Sequence, residues 1–228
     1  MNLDDVMKLS EPVGPADVKP KKKKKKKREQ LRKVEGDDRR PEPAETTPDA
    51  PAVRFADLSL PPALVQAVEV SGYTEPTLVQ QQVIPPMLSG RDVLAQSQTG
   101  SGKTAAFALP ILARLDEKPK RVQTLVLTPT RELAIQVTEA FERYASEMQG
   151  FRALAIYGGQ DYEQQFRWLR QGVSVVVGTP GRVIDHIKRG TLDLSSLDGL
   201  VLDEADEMLK MGFLEDVEYV LKQTPSGR

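Results

Sequence analysis

The apolar positions of this chain fall into short blocks that alternate between two spacings. After Phe55, the residues Leu58, Leu60, Leu64, Val65, Ala67 and Val68 recur at roughly helical intervals around Pro61-Pro62. This spacing predicts a helix that starts at the prolines and ends at Gly72. Five later blocks read differently: Asp92-Val93-Leu94, Thr124-Leu125-Val126-Leu127, Ala153-Leu154-Ala155-Ile156, Val173-Ser174-Val175-Val176-Val177 and Leu200-Val201-Leu202. Short, nearly continuous apolar runs with little alternation are what strands covered on both faces require. Helical stretches, Arg131 to Met148 and Tyr162 to Arg170, separate them. Strands alternating with helices predict an α/β domain with a mainly parallel sheet flanked by helices, covering residues 52–228.

The first strand block leads into Ala95-Gln96-Ser97-Gln98-Thr99-Gly100-Ser101-Gly102-Lys103-Thr104. Gly100 and Gly102 allow backbone conformations that a Cβ forbids, so that successive N–H groups can turn toward an anion at a helix N-terminus. Lys103 would reach the outer phosphates of a nucleotide, and the Thr104 hydroxyl would hold a magnesium ion. Ser97 stands where the phosphate-loop pattern carries its first glycine. Upstream, Tyr73 and Gln80 form an aromatic and a carboxamide seven residues apart in Gly72-Tyr73-Thr74-Glu75-Pro76-Thr77-Leu78-Val79-Gln80. Such a pair can stack on a base and pair with adenine N6 and N7, and it also suits a plain helix entry with surface glutamines.

The other strands run out into Thr128-Pro129-Thr130-Arg131, Tyr157-Gly158-Gly159 and Gly178-Thr179-Pro180-Gly181-Arg182. Loops at the carboxyl edge of a parallel sheet are where ligands collect, and hydroxyls, arginines and helix-start N–H groups suit phosphate contacts. Thr179-Pro180 equally suits an ordinary helix cap followed by proline at the first helical position. The last strand delivers Asp203-Glu204-Ala205-Asp206. A carboxylate there can hold magnesium through water, with Glu204 acting on the attacking water; an acidic first helical turn is the plainer reading.

Composition changes the picture only at the amino-terminal end. Residues 1–50 hold 14 Lys+Arg and 11 Asp+Glu and no aromatic residue, and Lys21 to Arg28 is an unbroken cationic block. Residues 1–51 are therefore expected to be a disordered basic and proline-rich tail, because they offer too little apolar surface to order themselves. The block suits sequence-independent contact with nucleic acid or another partner, a solvated tail, or a nuclear address. No cysteine is present, and no run approaches a membrane span. A monomeric protein of the cytoplasm, without membrane contact, is the default expectation.

Gln98-Thr99-Gly100-Ser101-Gly102-Lys103-Thr104, Pro129-Thr130-Arg131-Glu132-Leu133-Ala134, Thr179-Pro180-Gly181-Arg182 and Asp203-Glu204-Ala205-Asp206 occur in the order seen in the DEAD-box ATP-dependent RNA helicases, which this chain resembles from residue 55 to about 224. Phe55, Gly72 to Gln80 and Gly158-Gly159 resemble that family's upstream aromatic, Q motif and GG motif. The resemblance implies a RecA-like phosphate-loop domain that uses ATP and Mg2+. ATP contacts would come from Phe55, Tyr73, Thr77, Gln80 and Ser97 through Thr104. Lys103, Asp203 and Glu204 would be catalytic, with Thr104 and Asp203 on the metal. Asp206 would couple nucleotide to RNA. Pro129, Thr130, Arg131, Gly159, Thr179, Pro180, Gly181 and Arg182 would grip the RNA backbone, and such contacts carry no sequence information.

The printed sequence stops before that family's Ser-Ala-Thr motif and its second domain. The expectation is a truncated domain lacking a strand between the Val93 and Val201 strands, inactive alone or retained as an RNA-binding or annealing fragment. His186, the single histidine, is expected on a helix surface, and Trp168 to pack on or cap a helix face.

Overall fold

The computed structural model describes residues 53–98, 100–116 and 121–225. The lysine block and Thr99 lie outside the described residues. A single 3₁₀ turn, Phe55–Leu58, precedes α1 (Pro62–Val70), α2 (Leu78–Leu88) and α3 (Lys103–Arg114). The chain then alternates β1 (Thr124–Leu127), α4 (Arg131–Tyr144), β2 (Ala153–Ile156), α5 (Tyr162–Gln171), β3 (Val175–Gly178), α6 (Pro180–Lys188) and β4 (Gly199–Leu202), and closes with α7 (Ala205–Lys210) and α8 (Leu214–Lys222).

All pairings are parallel and the strand order is β2-β3-β1-β4, so β1 and β3 are central. Register places Leu125 beside both Val176 and Leu200. The apolar runs are explained by what each face meets. Val126, Val175 and Val177 join a core with Leu64 of α1, Leu109 of α3 and Phe141 of α4. Leu125, Leu127, Leu154, Ile156 and Val176 join a second core with Val183 of α6, Met208 of α7 and Val217 and Val220 of α8. Each fully buried aliphatic side chain contributes roughly 1.5–3 kcal/mol, so a polar residue on either face would be costly. The carboxyl end of β3 is packed equally closely. A Cβ on Gly178 would lie 2.6 Å from Ile156 Cγ1 and 2.7 Å from Ile156 O, so only glycine lets the chain turn there into α6.

Two expectations fail. Asp92-Val93-Leu94 is not a strand; residues 92–95 are exposed and join no ladder among the described residues. A parallel strand needs a neighbour to accept its backbone bonds, and among the described residues β4 pairs only with β1, leaving it half-buried. The Val93 segment and β4 therefore stand unpaired to one another. The second failure is His186, which is fully buried rather than on a surface, for reasons that belong to the site. The helix from Arg131 also ends early, at Tyr144. Trp168 sits on α5, 38% exposed.

Candidate nucleotide and nucleic-acid site

The glycine loop carries Lys103 as the first residue of α3. Gly100 has φ +81° and Gly102, the N-cap, φ +89°, conformations that L side chains rarely take. At Gly102 space is limiting as well, since a Cβ would come within 2.3 Å of Gln80 Nε2. That amide donates to Gly102 O at 3.1 Å, while Gln80 Oε1 accepts from the Thr77 N–H at 2.9 Å in a capping box at the start of α2. Gln80 is only 1% exposed, so the carboxamide read from sequence as a surface or base-contacting group also welds α2 to the loop.

Lys103 Nζ donates to Ser97 O at 2.7 Å and to Gln98 O at 3.4 Å, and the Ser97 and Ser101 hydroxyl oxygens lie 2.8 Å apart. The ammonium is thus folded back onto carbonyls of its own loop, in the space where a helix N-terminus favours an anion. Thr104 follows, half-buried.

Opposite stand the carboxylates. Asp203 is buried, held at the end of β4 by its N–H donating to Leu127 O at 2.9 Å. Burial pushes its carboxyl pKa up, the Glu204 charge pushes it further, and the Lys103 charge opposes both. Lys103 thus lies within electrostatic reach of Asp203. Glu204 caps α7 in a left-handed conformation, φ 52°, uncommon for a non-glycine residue. Asp206, in the first turn of α7, is bonded to Lys210 at 3.2 Å, a surface contact that lowers its pKa. Among the described residues no three His, Cys, Asp or Glu side chains gather as a metal site.

Tyr73 is 37% exposed, its ring edge-on to Tyr144 at 6.4 Å. Burial, and to a lesser extent the neighbouring Tyr73 hydroxyl, push the Tyr144 hydroxyl pKa up. Phe55 is 2% exposed in the core beside Leu58 and Leu60.

The remaining predicted residues line the carboxyl edge across β1, β3 and β2. Thr130 caps α4, its Oγ1 accepting from the Leu133 N–H at 3.2 Å, and Pro129 is buried before it. Arg131 is exposed, its guanidinium 5.2 Å from the Tyr157 ring centre. Gly158, Gly159 and Gly181 are exposed backbone. Thr179 is the N-cap of α6, but its side chain makes no capping bond, and buried Pro180 opens the helix. Arg182 donates to Gln165 Oε1 at 3.1 Å and Gln160 O at 3.4 Å.

Sequence reasoning missed Gln160, Gln165 and Thr191, which tie these loops together with His186. One signal was available. Tyr162, Gln165 and Leu169 follow helical spacing on α5, and a carboxamide within an otherwise apolar stripe marks a buried polar network.

A glycine loop at a helix start, facing a carboxylate that ends a neighbouring parallel-sheet strand, defines a RecA-like phosphate-loop domain. The chain belongs to the DEAD/DEAH box helicase family, whose sequence profile matches residues 77–228. It is similar to the ATP-dependent RNA helicase DeaD of Escherichia coli K12, 58% identical over 173 residues that make up 76% of this chain and 28% of that protein. It is similar as well to DeaD of Mycobacterium tuberculosis H37Rv, 54% identical over 181 residues, 79% of this chain and 32% of that one. The crystal structure of a DEAD box protein from Methanococcus jannaschii superposes with a TM-score of 0.72 at 42% identity, covering 75% of this chain and 47% of that one. The chain thus spans about a third or less of the curated relatives it matches.

Proposed function

We propose that this chain is the nucleotide-binding half of an ATP-dependent RNA helicase, holding ATP and Mg2+ on the loop from Ser97 to Thr104 and the backbone of single-stranded RNA on the loops after β1, β2 and β3. One observation carries the reading. A lysine that opens a helix and a buried, charge-strained carboxylate converge at the same sheet edge, each held in a form that a ligand would improve. A triphosphate would take Lys103 from the carbonyls of Ser97 and Gln98. A magnesium ion would favour the charged form of Asp203 that burial now penalises. The donor set fits such an ion, with Thr104 and Asp203 supplying two oxygens and phosphate and water the rest, the arrangement magnesium favours.

ATP, when bound, supplies the bond whose hydrolysis drives the cycle. This chain's residues do the positioning. Lys103 neutralises phosphate charge. Glu204, which ends the same strand as Asp203, orients the attacking water and takes its proton. Tyr73 is exposed enough to stack on a base. Gln80, already bonded to the loop, would report the base to Gly102. Asp206, two residues after Glu204 in the first turn of α7, would couple the two sites. In the whole protein, closure of a second domain over this one would strain the RNA duplex.

The reading is tested by ATP hydrolysis with and without single-stranded RNA, on this chain and on a protein that also carries the second domain, each with and without Glu204→Gln. In the protein that also carries the second domain, RNA-stimulated turnover that falls ~10²–10⁴-fold in Glu204→Gln with ATP binding kept is the expected result, while this chain alone is expected to bind ATP with little or no turnover. Turnover insensitive to the substitution would remove Glu204 from the chemistry. A second reading, RNA binding or annealing without turnover, is favoured by the exposure of Arg131, Gly159 and Gly181 independently of any nucleotide. It predicts salt-sensitive RNA binding by a chain that does not hydrolyse ATP.

A further inference from the structure

Gln165 is fully buried on α5, yet its carboxamide meets four polar partners. Nε2 donates to Tyr157 O at 3.2 Å and to Gln160 Oε1 at 2.6 Å. Oε1 lies 3.1 Å from Arg182 Nη1 and 3.0 Å from His186 Nε2. A carboxamide has two hydrogens and one oxygen with two lone pairs, and here all of them are used. Its orientation is dictated by groups that have no choice: the Tyr157 carbonyl can only accept and the Arg182 guanidinium can only donate. Turning the amide over would set N–H against N–H on one side and oxygen against oxygen on the other.

The oxygen can then accept from His186 only if Nε2 carries the ring's hydrogen. In the neutral ring Nδ1 is left as an acceptor, and it lies 2.8 Å from the Thr191 hydroxyl. The single Thr191 hydroxyl hydrogen is shared between His186 Nδ1 and His186 O, the latter at 3.0 Å, which leaves Thr191 Oγ1 to accept from the Tyr162 hydroxyl 3.0 Å away. The Tyr162 ring stacks on His186, with centroids 4.5 Å apart and planes 12° from parallel. The bonds run in one direction, from Tyr162 through Thr191 and His186 to Gln165.

From these contacts we infer that Gln165 is a positioning residue for the RNA edge, held by His186 and Thr191, and that it fixes Arg182 of α6 and the Tyr157–Gln160 loop after β2 in one mutual geometry. The inference rests on the RNA reading of those loops and goes beyond it, because Gln165, His186 and Thr191 need not touch RNA. Arg182 and the Gly158-Gly159 backbone belong to different connections, and phosphates of one strand can be gripped by both only at a fixed spacing. Gln165 is bonded to both connections, through three bonds of 2.6–3.2 Å that reinforce the longer direct one from Arg182 Nη1 to Gln160 O at 3.4 Å. Its network is buried, where a hydrogen bond left without its partner is costly and two discrete arrangements are favoured over gradual drift.

The test is a double-substitution cycle read by fluorescence anisotropy of a short fluorescein-labelled oligouridylate, with binding of a fluorescent ATP analogue measured alongside. Gln165→Met keeps the length of the side chain and removes its bonds. We expect RNA affinity to fall about tenfold and ATP-analogue affinity to hold. Combined with Arg182→Ala, Gln165→Met should add little further loss, and combined with Arg131→Ala its loss should add in full. If Arg182→Ala leaves RNA binding unchanged, the RNA reading of this edge fails, and the inference with it. If Arg182→Ala weakens binding while Gln165→Met either has no effect or adds in full to it, the RNA reading stands and the positioning role is wrong. Should Gln165→Met fail to fold, Thr191→Val and Thr191→Ser decide the matter at the far end of the network. Loss of RNA affinity in Thr191→Val with rescue in Thr191→Ser supports the role, and equal affinities overturn it.

Discussion

The two edges proposed to hold nucleotide and nucleic acid are built on opposite principles. At the nucleotide edge, residues 91–96 are exposed and outside any ladder, Lys103 is turned onto its own loop, Asp203 is buried beside Glu204, and Glu204 takes a left-handed backbone. At the nucleic-acid edge, Gln165, His186 and Thr191 are bonded to one another and close off the loops around Arg182. The contrast teaches where each edge obtains its order. The first has charges whose best partners are a triphosphate and a divalent cation; the second is satisfied within the protein before any strand arrives.

The largest effect is expected at His186. Burial, and then the charge of Arg182, push its pKa down to about 4, with Arg189 adding to the fall and Asp185 opposing it. The unfolded chain therefore binds a proton that the folded one refuses between about pH 6.5 and 4. The network's stability is complete above about pH 6.5 and lost as pH falls toward 4, by up to ~3 kcal/mol. Urea unfolding across that range measures the loss. The NMR titration of His186 is clean because it is the single imidazole of the chain. A midpoint near 6.5 would mean the network is open to water.

Gly102→Ala should have the next largest effect, about 2 kcal/mol of destabilisation. It combines a side chain at φ +89° with a Cβ placed on Gln80 Nε2. Unfolding by urea reads this loss, and the same change at Gly181, which has open space and no positive φ, should be close to neutral.

The alternation of apolar runs made β1, β2, β3 and β4 legible, because a strand covered on both faces leaves a trace in its own residues. The same logic misread Asp92-Val93-Leu94, whose local pattern cannot say whether a neighbouring strand is there to receive its bonds. The glycines, Lys103, Asp203 and Glu204 stood out because phosphate chemistry restricts which residues can stand at a given spacing, and the structure puts Gly100 and Gly102 at positive φ and Lys103 at the start of α3. His186 was not: a lone histidine on a helix looks like surface, and its burial is decided by Gln165 on one neighbouring segment and Thr191 on another. Long-range polar pairs leave little local trace, apart from a glutamine standing in an apolar stripe.

The smallest expected effect is a gain. Asp203→Asn removes a buried carboxylate that the fold makes harder to ionise. Its raised pKa means that stability is present below about pH 3.8 and lost as pH rises through the folded value, opposite in sign to His186. The variant should be more stable than the parent by about 1 kcal/mol at neutral pH without ligand, and less stabilised by MgATP. Thermal unfolding with and without MgATP checks both halves.

Hydrogen exchange tests the contrast between the edges most directly. Amides of residues 91–98 and of the segments around Gln165 and Arg182 would be followed with and without MgATP. The account predicts rapid exchange at 91–98 that slows on adding MgATP, and protection around Gln165 and Arg182 that is present from the start and unchanged. Protection of residues 91–98 without ligand, or an RNA edge that becomes protected only when nucleotide binds, would contradict it.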